Sequence, residues 1–154
     1  MHIGKVKTDN LMPIKPYVLS KKISYRSVDD RDILYFVEAT RQGIKFPFFL
    51  SIAKRSPFNL NEWSHFLHLS ERTMQRYVKE KKTFNPLQSE KILQITLLFT
   101  LGTDVFGDHE KFHTWLEADN LALGKIKPKE LLDTAFGILL LKDELSRIEH
   151  GVLA

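Results

Sequence analysis

Residues 109–113 read HEKFH, two imidazoles four residues apart with a carboxylate between them. On a helix that spacing puts both rings on one face, where they could hold zinc while Glu110 acts as a general base. A zinc hydrolase through His109, Glu110 and His113 is therefore one remote reading. Three features oppose it. Asp108 is placed to cap the helix, which leaves His109 in an exposed first turn. Phe106-Gly107-Asp108 reads as a helix stop rather than the middle of a buried helix. No third ligand follows, because Glu117 is one turn further along the same helix. Other nucleophile and acid–base arrangements are weaker still. His65, His68 and His150 have no readable triad partners, and no glycine-rich phosphate loop is present. No catalytic residue, metal or cofactor is expected.

A second stretch, LSERTMQRYVK at residues 69–79, points to binding rather than catalysis. With Met74 at the centre of a buried side and an advance of about 100° per residue, Arg72, Arg76 and Lys79 share the opposite face, with Gln75 beside them. An Arg guanidinium matches guanine O6/N7 or a phosphate, and Gln can pair with adenine. Ser70 and Thr73 fall in the first turn, where small hydroxyls and free N–H groups suit a phosphate. Lys81 and Lys82 continue the charge past the helix end. Between Glu71 and Asn85 five Lys/Arg stand against two Glu, a net +3. Any exposed helix carries such residues; the short turn and the capped helices around it favour a nucleic-acid surface.

These residues need elements to hold them. Asn59-Leu60-Asn61-Glu62 has the form of a capping box, and Trp63, Phe66 and Leu67 then fall on one face. His68-Leu69-Ser70 follows, with Ser70 as the next cap and Met74, Tyr77 and Val78 as the inward stripe. Two short helices joined by three residues have the size of a helix-turn-helix, the second being the recognition helix. Upstream, a helix opens at Val28 with Ile33, Phe36 and Val37 inward and stops at Gly43, and a second spans residues 47–54. Downstream, Asn85-Pro86-Leu87-Gln88 starts a long helix through Ile92, Ile95, Leu98 and Phe99 to Phe106. Asp108 caps a shorter one containing Phe112, Trp115 and Leu116. Pro128 opens another with Leu131 and Leu132 inward. Asp133 or Thr134 caps the last, with Leu141, Leu145 and Ile148 inward, ending at His150-Gly151. The reading is all-α, with seven or eight helices. Residues 1–27 are expected to form a flexible arm, 28–103 the helix-turn-helix domain and 104–154 a small second helical domain.

The composition agrees. Hydrophobic residues make up 43% of the 154, with eleven Phe, so a packed core is expected. Cysteine is absent, which removes thiolate sites and disulfides and fits a reducing cytoplasm. No signal peptide is read at the N-terminus, and the longest apolar run, residues 138–141, is far short of the roughly 18 residues a membrane span needs. Residues 1–103 carry 17 Lys/Arg and 9 Asp/Glu (+8), while 104–154 carry 6 and 10 (−4). That split suggests two surfaces for two kinds of partner.

The segment LSERTMQRYVKEKKTFNPLQSEKILQI resembles the helix-turn-helix of Xre/ParS-type antitoxins: a Leu-Ser-x-Arg-Thr-x-x-Arg helix, a basic turn, and a Pro-led helix with a Ser-Glu pair. VFGDHEKFHTWLEADNLALGKIKPKELLDTAFG resembles the toxin-binding domain of the same family, and RIEHGVLA is similar to its usual end. The likeness covers roughly residues 43–154. Two positions depart from it: Tyr77 follows Arg76 where a second Arg is frequent, and Gly124-Lys125 stands in place of Gly-Gly.

The resemblance implies a bacterial cytoplasmic antitoxin. Its partner would be a RES- or ParT-like toxin that consumes NAD or uses it for ADP-ribosylation, neutralised by covering the active site. The helix-turn-helix would bind the double-stranded operator of its own operon, as a homodimer. A stand-alone regulator without a toxin is the alternative. A phosphate-binding toxin pocket should be basic, so Asp143, Glu144 and Glu149 become candidate toxin contacts. Arg147, His150, Gly151 and Val152 join them at the chain end.

Overall fold

The computed structural model describes residues 30–151. The arm expected over residues 1–27, the Val28 opening of the first helix and Val152 lie outside them. Seven α-helices are described: α1 (Asp30–Gln42), α2 (Phe46–Arg55), α3 (Leu60–Phe66), α4 (Glu71–Glu80), α5 (Pro86–Phe106), α6 (His109–Glu117) and α7 (Ala135–Glu149). Two 3-10 turns, Leu121–Leu123 and Pro128–Leu131, lie between α6 and α7. Among the described residues the only β-pairing is an isolated bridge between Asn120 and Ile126. No described helix is long and apolar enough to cross a membrane.

Local chemistry sets most boundaries. Asn59 and Asn85 each accept the N–H of the residue three ahead at 2.8 Å, while Glu62 and Gln88 reach back to the cap N–H at 3.2 Å. Ser70, Asp108 and Thr134 cap α4, α6 and α7 by accepting the N–H three residues ahead. Gly43 and Gly107 end α1 and α5 with positive φ.

The long α5 is the central post. It packs against α1, α6 and α7 and buries Ile92, Ile95 and Leu98 completely. A chain of aromatic rings holds the smaller helices to it. Phe49 meets Trp63 edge-on at 5.2 Å and Phe84 at 4.9 Å, and Phe84 meets Tyr77 of α4 at 5.2 Å. Such contacts add to the free energy of burying each ring. Helix α4 is thus held by Met74, fully inside, and by Tyr77 against Phe84.

Three expectations are corrected. Val78 is 39% exposed, because the buried side of α4 is centred between Met74 and Tyr77 and Val78 falls at its edge. Ile33 is 48% exposed, as the inward side of α1 runs through Ala39. The segment from Pro128 makes only one 3-10 turn. The carbonyl of Asp133 is taken by side chains of the helix-turn-helix and α5, and Thr134 already caps the next helix.

Candidate nucleic-acid interface and partner-facing helix

The turn between α3 and α4 is tight. Leu67 N–H donates to Trp63 O, His68 N–H to His65 O and Leu69 N–H to Ser64 O, at 3.0, 3.1 and 2.8 Å. His68 takes a left-handed conformation, φ 57°, which turns the chain into Ser70. Ser70 Oγ accepts the Thr73 N–H at 3.0 Å and its hydroxyl donates to Thr73 Oγ1 at 2.9 Å. Both hydroxyls therefore serve the helix start, with Ser70 exposed and Thr73 half-buried.

Arg72, Gln75, Arg76 and Lys79 are all exposed, and with Thr73 and Glu80 they line an open groove of about 540 Å³. Five of the eight residues singled out for nucleic-acid contact are thus brought together. Glu80 is the one acid in the groove. Its carboxylate lies 3.9 Å from Arg76 Nε and 4.0 Å from Lys82 Nζ. Both pairs are about half exposed, so they cost little to exchange for a phosphate. Lys81, in a left-handed conformation at φ 52°, and Lys82 are exposed just beyond the end of α4 and do not line the groove.

In α7, Leu141 and Leu145 are fully buried and Ile148 is half-buried. The other side of the helix is not covered. Phe136 is 87% exposed, Leu139 52% and Leu140 41%. At about 100° per residue, Asp143, Arg147 and His150 continue that same face, and all three are exposed. Glu144 does not belong to it: it is only 6% exposed and its Oε2 accepts from Arg147 Nη1 at 3.0 Å. Glu149 is half-buried on the other side of the helix, 3.9 Å from His150 Nε2. Gly151 is exposed with φ 69°. Periodicity singled out only the inward stripe, yet Phe136, Leu139 and Leu140 carry a second apolar stripe at i, i+3, i+4.

The two surfaces are joined through residues 128–133. Lys129 Nζ contacts Glu117 at 2.8 Å and Glu62 of the α3 capping box at 3.0 Å. These two hydrogen bonds hold its ammonium above the ordinary lysine range. The Asp133 carbonyl accepts from His68 Nε2 at 2.7 Å and from Lys91 Nζ at 2.8 Å. Burial pushes the Lys91 ammonium down, against the pull of Asp133 and Glu90.

The two histidines of the HEKFH stretch have ring centroids 6.0 Å apart, and His109 Nδ1 is engaged with Thr103 Oγ1 at 3.2 Å. No group of three or more His, Cys, Asp or Glu able to hold a metal occurs among the described residues. Among the described residues no third ligand stands with this pair.

Comparison with known proteins matches the chain in two consecutive parts. Residues 36–96 match the model of the antitoxin Xre-like helix-turn-helix domain. Residues 101–151 match the antitoxin Xre/MbcA/ParS C-terminal toxin-binding domain. An antitoxin Xre of Yersinia enterocolitica is 32% identical over 87 residues, 56% of this chain and 59% of that protein. An antitoxin Xre of Photorhabdus laumondii is 25% identical over 114 residues, 73% of this chain and 77% of that protein. The matched part thus spans less than two thirds of the Yersinia protein. With a helix-turn-helix followed in order by the second matched domain, the chain belongs to the Xre-type antitoxin family.

Proposed function

We propose that this protein is the antitoxin of a toxin–antitoxin pair, binding operator DNA through α4 and a toxin through α7, and that it is not itself an enzyme. The observation that carries the reading is the division of labour between two exposed faces. One, in the part that matches the helix-turn-helix, is cationic and polar; the other, in the part that matches the toxin-binding domain, is apolar and ends in mixed charge. On the DNA side Arg72, Gln75 and Arg76 reach base edges. Lys79, Lys81 and Lys82 contact phosphates, and Ser70 and Thr73 set the approach of the first turn. One recognition helix per chain reads one half-site, so the working form is a homodimer on a palindromic operator.

On the toxin side Phe136, Leu139 and Leu140 form the apolar centre and Asp143, Arg147 and His150 the polar rim, the usual anatomy of a protein interface. Glu144 is excluded by its burial and its pairing with Arg147, and Glu149 is secondary. The toxin is of the RES or ParT type, consuming NAD or using it for ADP-ribosylation, and the antitoxin covers its active site in the cytoplasm. The test is co-expression with the product of the adjacent gene. Co-purification, with growth and NAD level restored, is the expected outcome. A neighbour that is neither toxic nor captured, with duplex binding retained, would leave a stand-alone regulator.

A further inference from the structure

The strongest feature outside the recognition helix is a pair of basic loops held edge to edge. Residues 43–45 lie against residues 83–84. Phe84 N–H donates to Ile44 O at 2.9 Å, and Ile44 N–H donates to Ser89 Oγ at 2.8 Å. The Ser89 hydroxyl donates in turn to Phe84 O at 3.3 Å. Ser89 is fully buried, and Ile44 and Phe84 are 3% and 1% exposed, so this join lies inside the protein. Gly43 makes the approach possible. Its φ is +88°, and a Cβ there would stand 2.5 Å from Phe84 O and 2.7 Å from Thr83 Cγ2.

The residues flanking the join are cations. Arg41 and Lys45 precede and follow the first loop, Lys81 and Lys82 precede the second, and all four are exposed. Arg41, Lys45 and Lys81 pair with no carboxylate among the described residues. The nearby acids are otherwise engaged: Glu38 accepts from Gln42 Nε2 at 3.1 Å, and Glu80 faces Arg76 and Lys82. Tyr77 packs on Phe84 at 5.2 Å, so the joined loops abut the C-terminal end of the recognition helix.

We infer that Arg41 and Lys45 carry the DNA-binding surface beyond α4, as contacts to the phosphate backbone flanking the bases that α4 reads. The inference rests on the DNA reading of α4. The chemistry is that of a polyanion with regularly spaced phosphates, which rewards several unpaired cations fixed along one edge. Because these contacts touch no base edge, they add affinity and set register without adding sequence preference.

The test is the salt dependence of binding to a short random-sequence duplex, read by fluorescence anisotropy on the full chain. The variants are Arg41→Ala, Lys45→Ala, Lys45→Glu and, as reference, the phosphate contact Lys79→Ala. Removing one phosphate-binding cation should lower the slope of log K against log salt by about 0.9. Lys45→Glu should weaken binding more than Lys45→Ala, and the double Arg41→Ala/Lys45→Ala variant should show both decrements. Circular dichroism melting should be unchanged, since both side chains are exposed. If Lys79→Ala lowers the slope while the Arg41 and Lys45 variants keep the wild-type slope, the extension is wrong and the α4 reading stands. If Lys79→Ala also leaves the slope and affinity unchanged, the DNA reading falls and takes the extension with it.

Discussion

His68 Nε2 donates to the carbonyl of Asp133 across 2.7 Å, tying the turn of the helix-turn-helix to the residue that precedes the cap of α7. Lys91 of α5 donates to the same oxygen at 2.8 Å. One backbone carbonyl therefore fixes the start of α7 to both the helix-turn-helix and the central α5. Lys91→Met keeps the aliphatic stem and removes the donor. The His68 bond remains, so a loss of about 1–2 kcal/mol in urea unfolding is expected. His68→Ala/Lys91→Met should cost more than the sum of the singles, because only the double variant leaves the carbonyl without either donor.

Lys129 makes the second tie. It stands between Glu117 and Glu62, and removing it leaves two carboxylates facing one another without their cation. Its side chain is 23% exposed, between the surface and buried cases, so Lys129→Met should destabilise by about 1–2 kcal/mol. Because Glu62 also closes the α3 capping box, faster amide exchange at the start of α3 should accompany the loss. Exchange unchanged in α3 would show that the tie holds only the C-terminal part.

Much of this architecture was legible in the sequence because it rests on local rules. Asn59, Ser70, Asn85, Asp108 and Thr134 each cap the helix that follows. The outward grouping of Arg72, Arg76 and Lys79 needed only the helical period and the burial of Met74. What could not be read depended on tertiary contacts. Glu144 looks like any surface acid in sequence, yet its position on the inward side of α7 buries it against Arg147. Phe136, Leu139 and Leu140 look like core residues, and only the packing of α7 on α5 shows that its core side is already filled by Ile138, Leu141 and Leu145. The join between residues 44 and 84 brings together distant parts of the chain and leaves no local signature.

His113 predicts an acid sensitivity. Burial, and then the neighbouring His109, push its imidazole below the ordinary histidine range, with Glu110 opposing. A lowered folded value means the unfolded chain binds the proton more readily. The stability contributed by neutral His113 is therefore complete above the ordinary histidine value and declines as pH falls through it. Urea midpoints should drop between about pH 7.5 and pH 5, and His113→Gln should flatten that drop. A variant with the wild-type pH profile would assign the acid loss to other groups.

Arg76 and Lys79 should behave differently on DNA although they share a face. Arg76→Ala should cost about 1–3 kcal/mol on the operator and relax preference at one base pair, as loss of a bidentate base contact does. Lys79→Ala should weaken operator and random duplex alike. Glu80→Gln provides the opposite sign: releasing Arg76 and Lys82 from their shared carboxylate should tighten binding several-fold at low salt. An Arg76/Lys79 double variant that binds the operator with wild-type affinity would remove α4 as the reader.

The uncovered face of α7 separates the two proposed functions. Phe136 stands almost wholly outside the core at 87% exposure, and Leu139 and Leu140 are only partly covered at 52% and 41%. Leu139→Asp should therefore leave the melting temperature within about 2 °C of wild type and duplex binding unchanged. The same change places a charge at the centre of the proposed toxin interface, where desolvation without a partner is costly, so capture of the adjacent gene's product should fall by roughly tenfold or more. Gly137→Ala is the control for helix placement. Its Cβ would run into the backbone oxygen of Leu131, so α7 must shift, and stability should fall by about 1–3 kcal/mol along with capture. Glu144→Gln removes an internal pair rather than a partner-facing group, and should lower stability while leaving capture near wild type. If Leu139→Asp and Phe136→Asp both retain full capture, the toxin does not dock on this face, and it binds elsewhere in residues 101–151.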